Sequence, residues 1–204
     1  MFNGAMTEWL QTLGESWHVP QVPGTEPTPS ASLIPLTSGV AIRRESDGVR
    51  PRALVGNSLV RSVPIFNELG FVTALVDAPS DHPGDDGLAG FRIMTQHADD
   101  LGKVIADLRA RLKGPVWVIG TSRGSISAVN AAVRLSGPSA PDGVVITSAL
   151  TVGSASNVRP WLSQTVFEPR LEDIKLPILV VGHAADKCLR SPASQMERIT
   201  ARTN

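Results

Sequence analysis

Residues 116–135 read VWVIGTSRGSISAVNAAVRL, an apolar run that passes through Gly120-Thr121-Ser122-Arg123-Gly124 into a segment of small residues. A strand that gives way to a helix within so few residues must do so through a very tight turn. The middle residue of that turn is forced into a strained backbone conformation, and side chains two positions to either side would collide. Glycine at 120 and 124 removes the collision. The stretch therefore demands that the chain pass from sheet to helix at Ser122, with the serine hydroxyl lifted above the sheet edge at the helix N-terminus.

From Ala53 onward the rest of the chain repeats the same alternation. ALVG at 53–56 predicts a short strand. NSLVRSVPIFNEL at 57–69 sets Leu59, Val63, Phe66 and Leu69 at helical spacing and stops at Gly70, with Pro64 expected to perturb its middle. FVTALVD at 71–77 predicts a buried strand. DLGKVIADLRARL at 100–112 places Leu101, Val104, Ile105, Leu108 and Leu112 on one helical face, ended by Gly114-Pro115. A helix follows the serine turn, GVVITSA at 143–149 and LPILVVGH at 176–183 predict two more strands, and SPASQMERIT at 191–200 predicts a last helix. The second of these strands opens on a proline, where a missing N–H is tolerated. Strands apolar throughout and separated by helices imply a doubly wound α/β fold, a mostly parallel sheet with helices on both faces. Residues 1–50 differ: VPQVPGTEPTPSASLIP is dense in Pro, Ser and Thr and predicts a poorly ordered leader ahead of a domain at 51–204.

Composition narrows the function. A chain of 204 residues suits one core. Nineteen basic and nineteen acidic residues cancel, so neither nucleic acid nor an anionic membrane surface is an expected partner, and small or neutral molecules are. No apolar run approaches the roughly 20 residues of a membrane span and no export signal is visible, which points to a cytoplasmic protein. The single Cys188 has no partner for an intramolecular disulfide or a zinc site. No cofactor is expected, since no G-x-G-x-x-G follows a strand. The loop DAPSDHPGDD gathers Asp77, Asp81, His82, Asp85 and Asp86 without calcium-loop spacing, so it is expected to be a solvated loop rather than a metal site. Oligomeric state is not legible.

The chemistry centres on Ser122. The glycine-flanked turn fits a nucleophile elbow, and the helix end together with the N–H of Arg123 is suited to stabilising an oxyanion. A serine nucleophile needs a base, and the base an orienting acid. Asp186, in ILVVGHAADKC, stands just past a later strand at the sheet edge where Ser122 is expected, and is the candidate acid. With GNSLVRS, VDAPSDH, GFRIMTQHADDL, VWVIGTSRGS and LVVGHAADKC, the chain resembles bacterial α/β-hydrolases of the serine esterase, lipase and peptidase superfamily over roughly residues 54–190. The resemblance implies a serine hydrolase with Ser122 as nucleophile, Asp186 as acid, the Arg123 amide as one oxyanion donor, and a small ester-like substrate.

Two departures from that pattern stand out. The pattern places a histidine after the acid, whereas His18, His82, His97 and His183 all precede Asp186, and too few residues follow Asp186 for a further strand and a histidine loop. His183 is a weak candidate for the base. His97, near a helix start, is expected to have a lowered pKa from the helix dipole and a local hydrogen bond. Upstream, RPRALVGNS offers only a short apolar run, leaving the backbone of Gly56 to Ser58 as the candidate second oxyanion donor. The expected domain therefore lacks its final strand and histidine loop, as a truncated or diverged relative would. The expected function is an esterase-type serine hydrolase working through an acyl-enzyme, weakly active or inactive as the chain stands. The alternative is a non-catalytic α/β-hydrolase-like module that binds a ligand or partner in the same pocket. Only about 20 residues separate TSALTVG from FEPRLEDI, which predicts a small cap and an open site.

Overall fold

The computed structural model describes residues 31–36, 42–45, 48–51, 57–76, 78–79, 81–82 and 88–203. In chain order these form β1 (Ala31–Leu36), β2 (Ile42–Glu45), β3 (Gly48–Pro51), α1 (Ser58–Glu68), β4 (Phe71–Thr73), α2 (Thr95–Leu112), β5 (Val116–Thr121), α3 (Gly124–Arg134), β6 (Gly143–Thr147), β7 (Ile178–Val181) and α4 (Met196–Thr200). Five strands make one parallel sheet in the order β4-β1-β5-β6-β7, while β2 and β3 pair separately as an antiparallel hairpin.

The period-2 alternation of strand side chains sorts the core onto two faces. Val116 and Val118 of β5, with Val144 and Ile146 of β6, pack with Leu101 and Ile105 of α2 and Ile126, Val129 and Ala132 of α3. Trp117 and Ile119 of β5, with Val145 of β6, face the other way and pack with Leu59 and Phe66 of α1. Helices thus cover both faces, as the unbroken apolar strands predict. The Trp117 indole lies where a Cβ on Gly143, its register partner, would come within 2.1 Å of the ring, so only glycine fits opposite it. At the far end of the sheet, Asp142 accepts from the Val116 amide at 2.7 Å and pairs with Arg109 at 2.9 Å, fastening the end of α2 to the start of β5.

The structure corrects several expectations. Residues 31–36 do not belong to a poorly ordered leader: they are β1, second in the sheet, paired in parallel with both β4 and β5. The strand expected at 53–56 and residues 1–30 lie outside the described residues. The strand expected at 71–77 is confined to Phe71–Thr73, and the helix expected from residue 100 starts at Thr95. Pro64 sits exposed inside α1, which nonetheless continues to Glu68. Among the described residues no helix is long and apolar enough to cross a membrane.

His97 lies in the first turn of α2, 4 % exposed, with neither ring nitrogen hydrogen-bonded and its edge against Phe91 at 5.3 Å. The expected local hydrogen bond is absent. Its pKa is lowered from 6.5 to about 4, first by burial and then by the nearby Arg92 guanidinium. The ring is thus neutral in the fold, whereas the unfolded chain takes up a proton near pH 6.5. Stability from this group is full above that pH and is lost as pH falls toward 4, by about 3 kcal/mol. Urea unfolding at pH 7 and pH 4.5 should show a steeper loss for the wild type than for His97→Leu; equal losses would contradict the assignment.

Candidate active site

The turn after β5 has the geometry that its glycines demand. Ser122 takes φ 51°, in the left-handed region. A Cβ on Gly120 would stand 2.5 Å from the Gly124 carbonyl oxygen and 2.8 Å from the Ser125 Cα, both main-chain atoms with no room to yield. The turn is pinned on both sides. The Ser122 amide donates to the Thr147 carbonyl at 3.1 Å, and the Ser122 carbonyl accepts from the Ser125 amide at 3.0 Å and the Ser125 hydroxyl at 2.5 Å. That hydroxyl in turn accepts from the Leu150 amide at 3.2 Å. Arg123 is the N-cap of α3, so its amide stands at the positive end of the helix, while its guanidinium lies 5.0 Å from the Trp161 ring centroid.

Asp186 follows β7 in a turn closed by its own amide on the His183 carbonyl at 2.9 Å. One carboxylate oxygen accepts from the Cys188 amide at 2.9 Å and the other from the Ser191 hydroxyl at 3.3 Å, so the half-buried acid is held by its own loop. The exposed His183 accepts the Ala185 amide on Nδ1 at 3.2 Å. A neutral imidazole that accepts on Nδ1 carries its proton on Nε2.

Asp186, Ala185, Lys187 and His183 line a cavity of about 320 Å³ together with Ser58 of α1, Thr121 at the end of β5, and Ser148. The cavity lies at the carboxyl ends of the strands, where ligands bind in open α/β sheets. The structure thus gathers Asp186, His183 and the residue preceding Ser122 around one space. Of the upstream donor region, Ser58 lines the cavity, Asn57 caps α1 by accepting the Leu59 amide at 3.0 Å, and Gly56 lies outside the described residues. The other histidines are elsewhere. His97 is buried in α2. His82 stacks on Phe91 at 3.8 Å and lines a second pocket of about 530 Å³ with Asp81, Asp99, Asp100 and Lys103. His18, Asp77, Asp85 and Asp86 lie outside the described residues. No group of three or more potential metal ligands forms among the described residues.

Ser148 is the site residue that the sequence reading missed. It follows β6 with φ 43°, and apart from Lys113 at the end of α2 it shares this left-handed backbone, among the described non-glycine residues, with Ser122 alone. Thr121 and Thr147 are register partners, and the Ser148 amide donates to the Val181 carbonyl at 3.0 Å much as Ser122 does to Thr147. The signal was present: Thr-Ser ends both β5 and β6.

No protein-family model matches the sequence, and no curated protein is similar to it. Among solved structures, the chain is similar to TT1662 from Thermus thermophilus at 17 % identity and a TM-score of 0.54, over 84 % of this chain and 73 % of that one. A second, ATU1826 from Agrobacterium tumefaciens, a protein of unknown function described as a candidate α/β hydrolase, aligns at 15 % identity and a TM-score of 0.46, over 88 % and 70 %. The likeness to TT1662, with the strand order, shows a doubly wound α/β fold.

The left-handed serine is a local strain that glycine would relieve. Ser122→Gly should raise stability by about 1 kcal/mol, or roughly 2–4 °C in melting temperature. Gly120→Ala should lower it by about 3 kcal/mol, because the intruding atom meets main chain. Calorimetric melting of both variants checks the pair; a neutral Gly120→Ala would contradict the close approach.

Proposed function

We propose that this chain is a serine hydrolase of the α/β-hydrolase type that acts on small ester-like substrates, less readily on amides, through an acyl-enzyme. The observation that carries the proposal is the left-handed Ser122 between β5 and α3, directly after the cavity-lining Thr121, since such backbone strain clusters at functional sites. Ser122 is the nucleophile, Asp186 the acid, and the Arg123 amide one donor to the tetrahedral oxyanion. The alignment of this fold with that of a candidate α/β hydrolase is in keeping with the proposal but adds no weight to it.

The base is the weak member. His183 lines the cavity with Asp186, yet its Nδ1 accepts the Ala185 amide, so that nitrogen does not donate to the Asp186 carboxylate as a triad base requires. Loss of a triad member removes on the order of 10⁴- to 10⁶-fold in turnover, so with His183 as its base the chain is weakly active and its serine reacts slowly. The same hydrogen bond favours a second function, a binding module that uses the cavity to hold a ligand.

A fluorophosphonate probe with intact-mass detection separates the two. A single, slowly formed adduct on the wild type and none on Ser122→Ala is the expected result. A folded wild type that takes up no probe removes the hydrolase proposal and leaves the binding module.

A further inference from the structure

The segment between β6 and residue 164 closes on itself beside the serine turn. The Ser154 amide donates to the Leu162 carbonyl at 2.9 Å, and a Cβ on Gly153 would come within 2.4 Å of the Ser163 carbonyl oxygen, so the two ends of the loop touch where only glycine fits. Two arginines hold this loop. Arg123, next to Ser122, places its guanidinium over Trp161. Arg190, four residues past Asp186, donates from Nη2 to the Leu162 carbonyl at 2.6 Å and the Gln164 carbonyl at 3.4 Å, and from Nε to the Val152 carbonyl at 3.3 Å. Its own carbonyl accepts the Thr151 and Val152 amides at 3.0 and 3.2 Å.

Arg190 thus commits both main chain and side chain to one loop, and no carboxylate is among its partners. Burial and the nearby Arg123 lower its pKa. The next residue, Ser191, is buried and holds the Asp186 carboxylate. A short covalent and hydrogen-bonded path therefore runs from Asp186 through Ser191 and Arg190 to the 161–164 turn, and from Trp161 to the residue after Ser122.

We infer that Arg190 is a positioning residue, which sets the acid loop of Asp186 relative to the turn of Ser122 by clamping the loop that lies against both. This rests on the hydrolase reading of Ser122 and Asp186. The clamp needs the planar fork of arginine: three carbonyls are reached from two nitrogens in fixed geometry, and a lysine ammonium on a flexible stem does not reproduce it. A shift of about 1 Å between reacting groups costs on the order of a hundredfold in rate.

The test uses Arg190→Lys and Arg190→Gln in the full chain, with Arg198→Gln, whose guanidinium lies over Phe167, as control. Fluorophosphonate inactivation is resolved into probe affinity and maximal rate, normalised to folded protein. Both Arg190 variants should lose about tenfold or more in maximal rate with little change in affinity, and lysine should rescue no better than glutamine. Wild-type rates in Arg190→Lys would overturn the clamp, because charge alone would then suffice. Amide hydrogen exchange supplies the arm that does not depend on reactivity. In Arg190→Lys, residues 152–164 and 184–188 should lose protection together while α2 keeps its own. If one segment loosens without the other, the inference fails. A wild type that takes up no probe defeats the hydrolase reading, and the exchange result then decides the clamp by itself.

Discussion

The contact between Gly120 and the Gly124 carbonyl governs how this molecule is assembled. It sets the angle at which α3 leaves β5, and α3 is buried from Gly124 to Ala132. What packs on α3 inherits that angle. Asn130 donates to the Met94 carbonyl at 2.8 Å, and the buried Arg92 donates to the Ser127 hydroxyl at 2.7 Å, so the entry to α2 is fixed on α3. Ser125 reaches the Leu150 amide, which fixes the exit from β6. One missing Cβ thus orients the turn at Ser122, the helix behind it and the strands on either side.

Where burial is continuous, the sequence was a sufficient guide. The strands β5 and β6 are unbroken apolar runs because both of their faces are covered, and the turn at Ser122 was legible because steric exclusion leaves so few residue choices. The strand β1 was hidden for the opposite reason. Ala-Ser-Leu-Ile-Pro-Leu carries a proline and a serine inside a Pro- and Thr-rich stretch, and no local pattern marks it. Its identity comes from pairing with β4 and β5, residues far away in the chain, which local propensity does not record. His97 shows the same limit in its energetics. Its pKa shift has the expected direction, but the causes are burial first and the Arg92 guanidinium second, which only the packed structure reveals.

Thr121-Ser122 and Thr147-Ser148 end neighbouring strands in register, and both serines turn left-handed. In a twisted parallel sheet the chain must leave each strand steeply to begin the next crossover. Glycine would do so without strain, and the fold instead carries serine at both exits. Each serine amide is tied to the carbonyl at the end of the next strand, so the strain is offset by hydrogen bonds that also fix where the two hydroxyls stand. Two hydroxyls on adjacent strand ends, one of them lining the cavity with Asp186, place polar groups along the sheet edge at a spacing that the sheet itself sets.

On the acid side, the two hydrogen bonds to Asp186 orient the carboxylate without exhausting it, since a carboxylate offers about four acceptor sites. An acid so held is ready to fix the tautomer of an imidazole whose Nδ1 proton faces it. His183 has Nδ1 occupied by the Ala185 amide. A ring so engaged is oriented by its own loop and not by Asp186, whereas a triad base is oriented by the acid. Catalysis and simple binding therefore share the same cavity, acid and serine turn, and differ in whether an imidazole there is oriented by the acid.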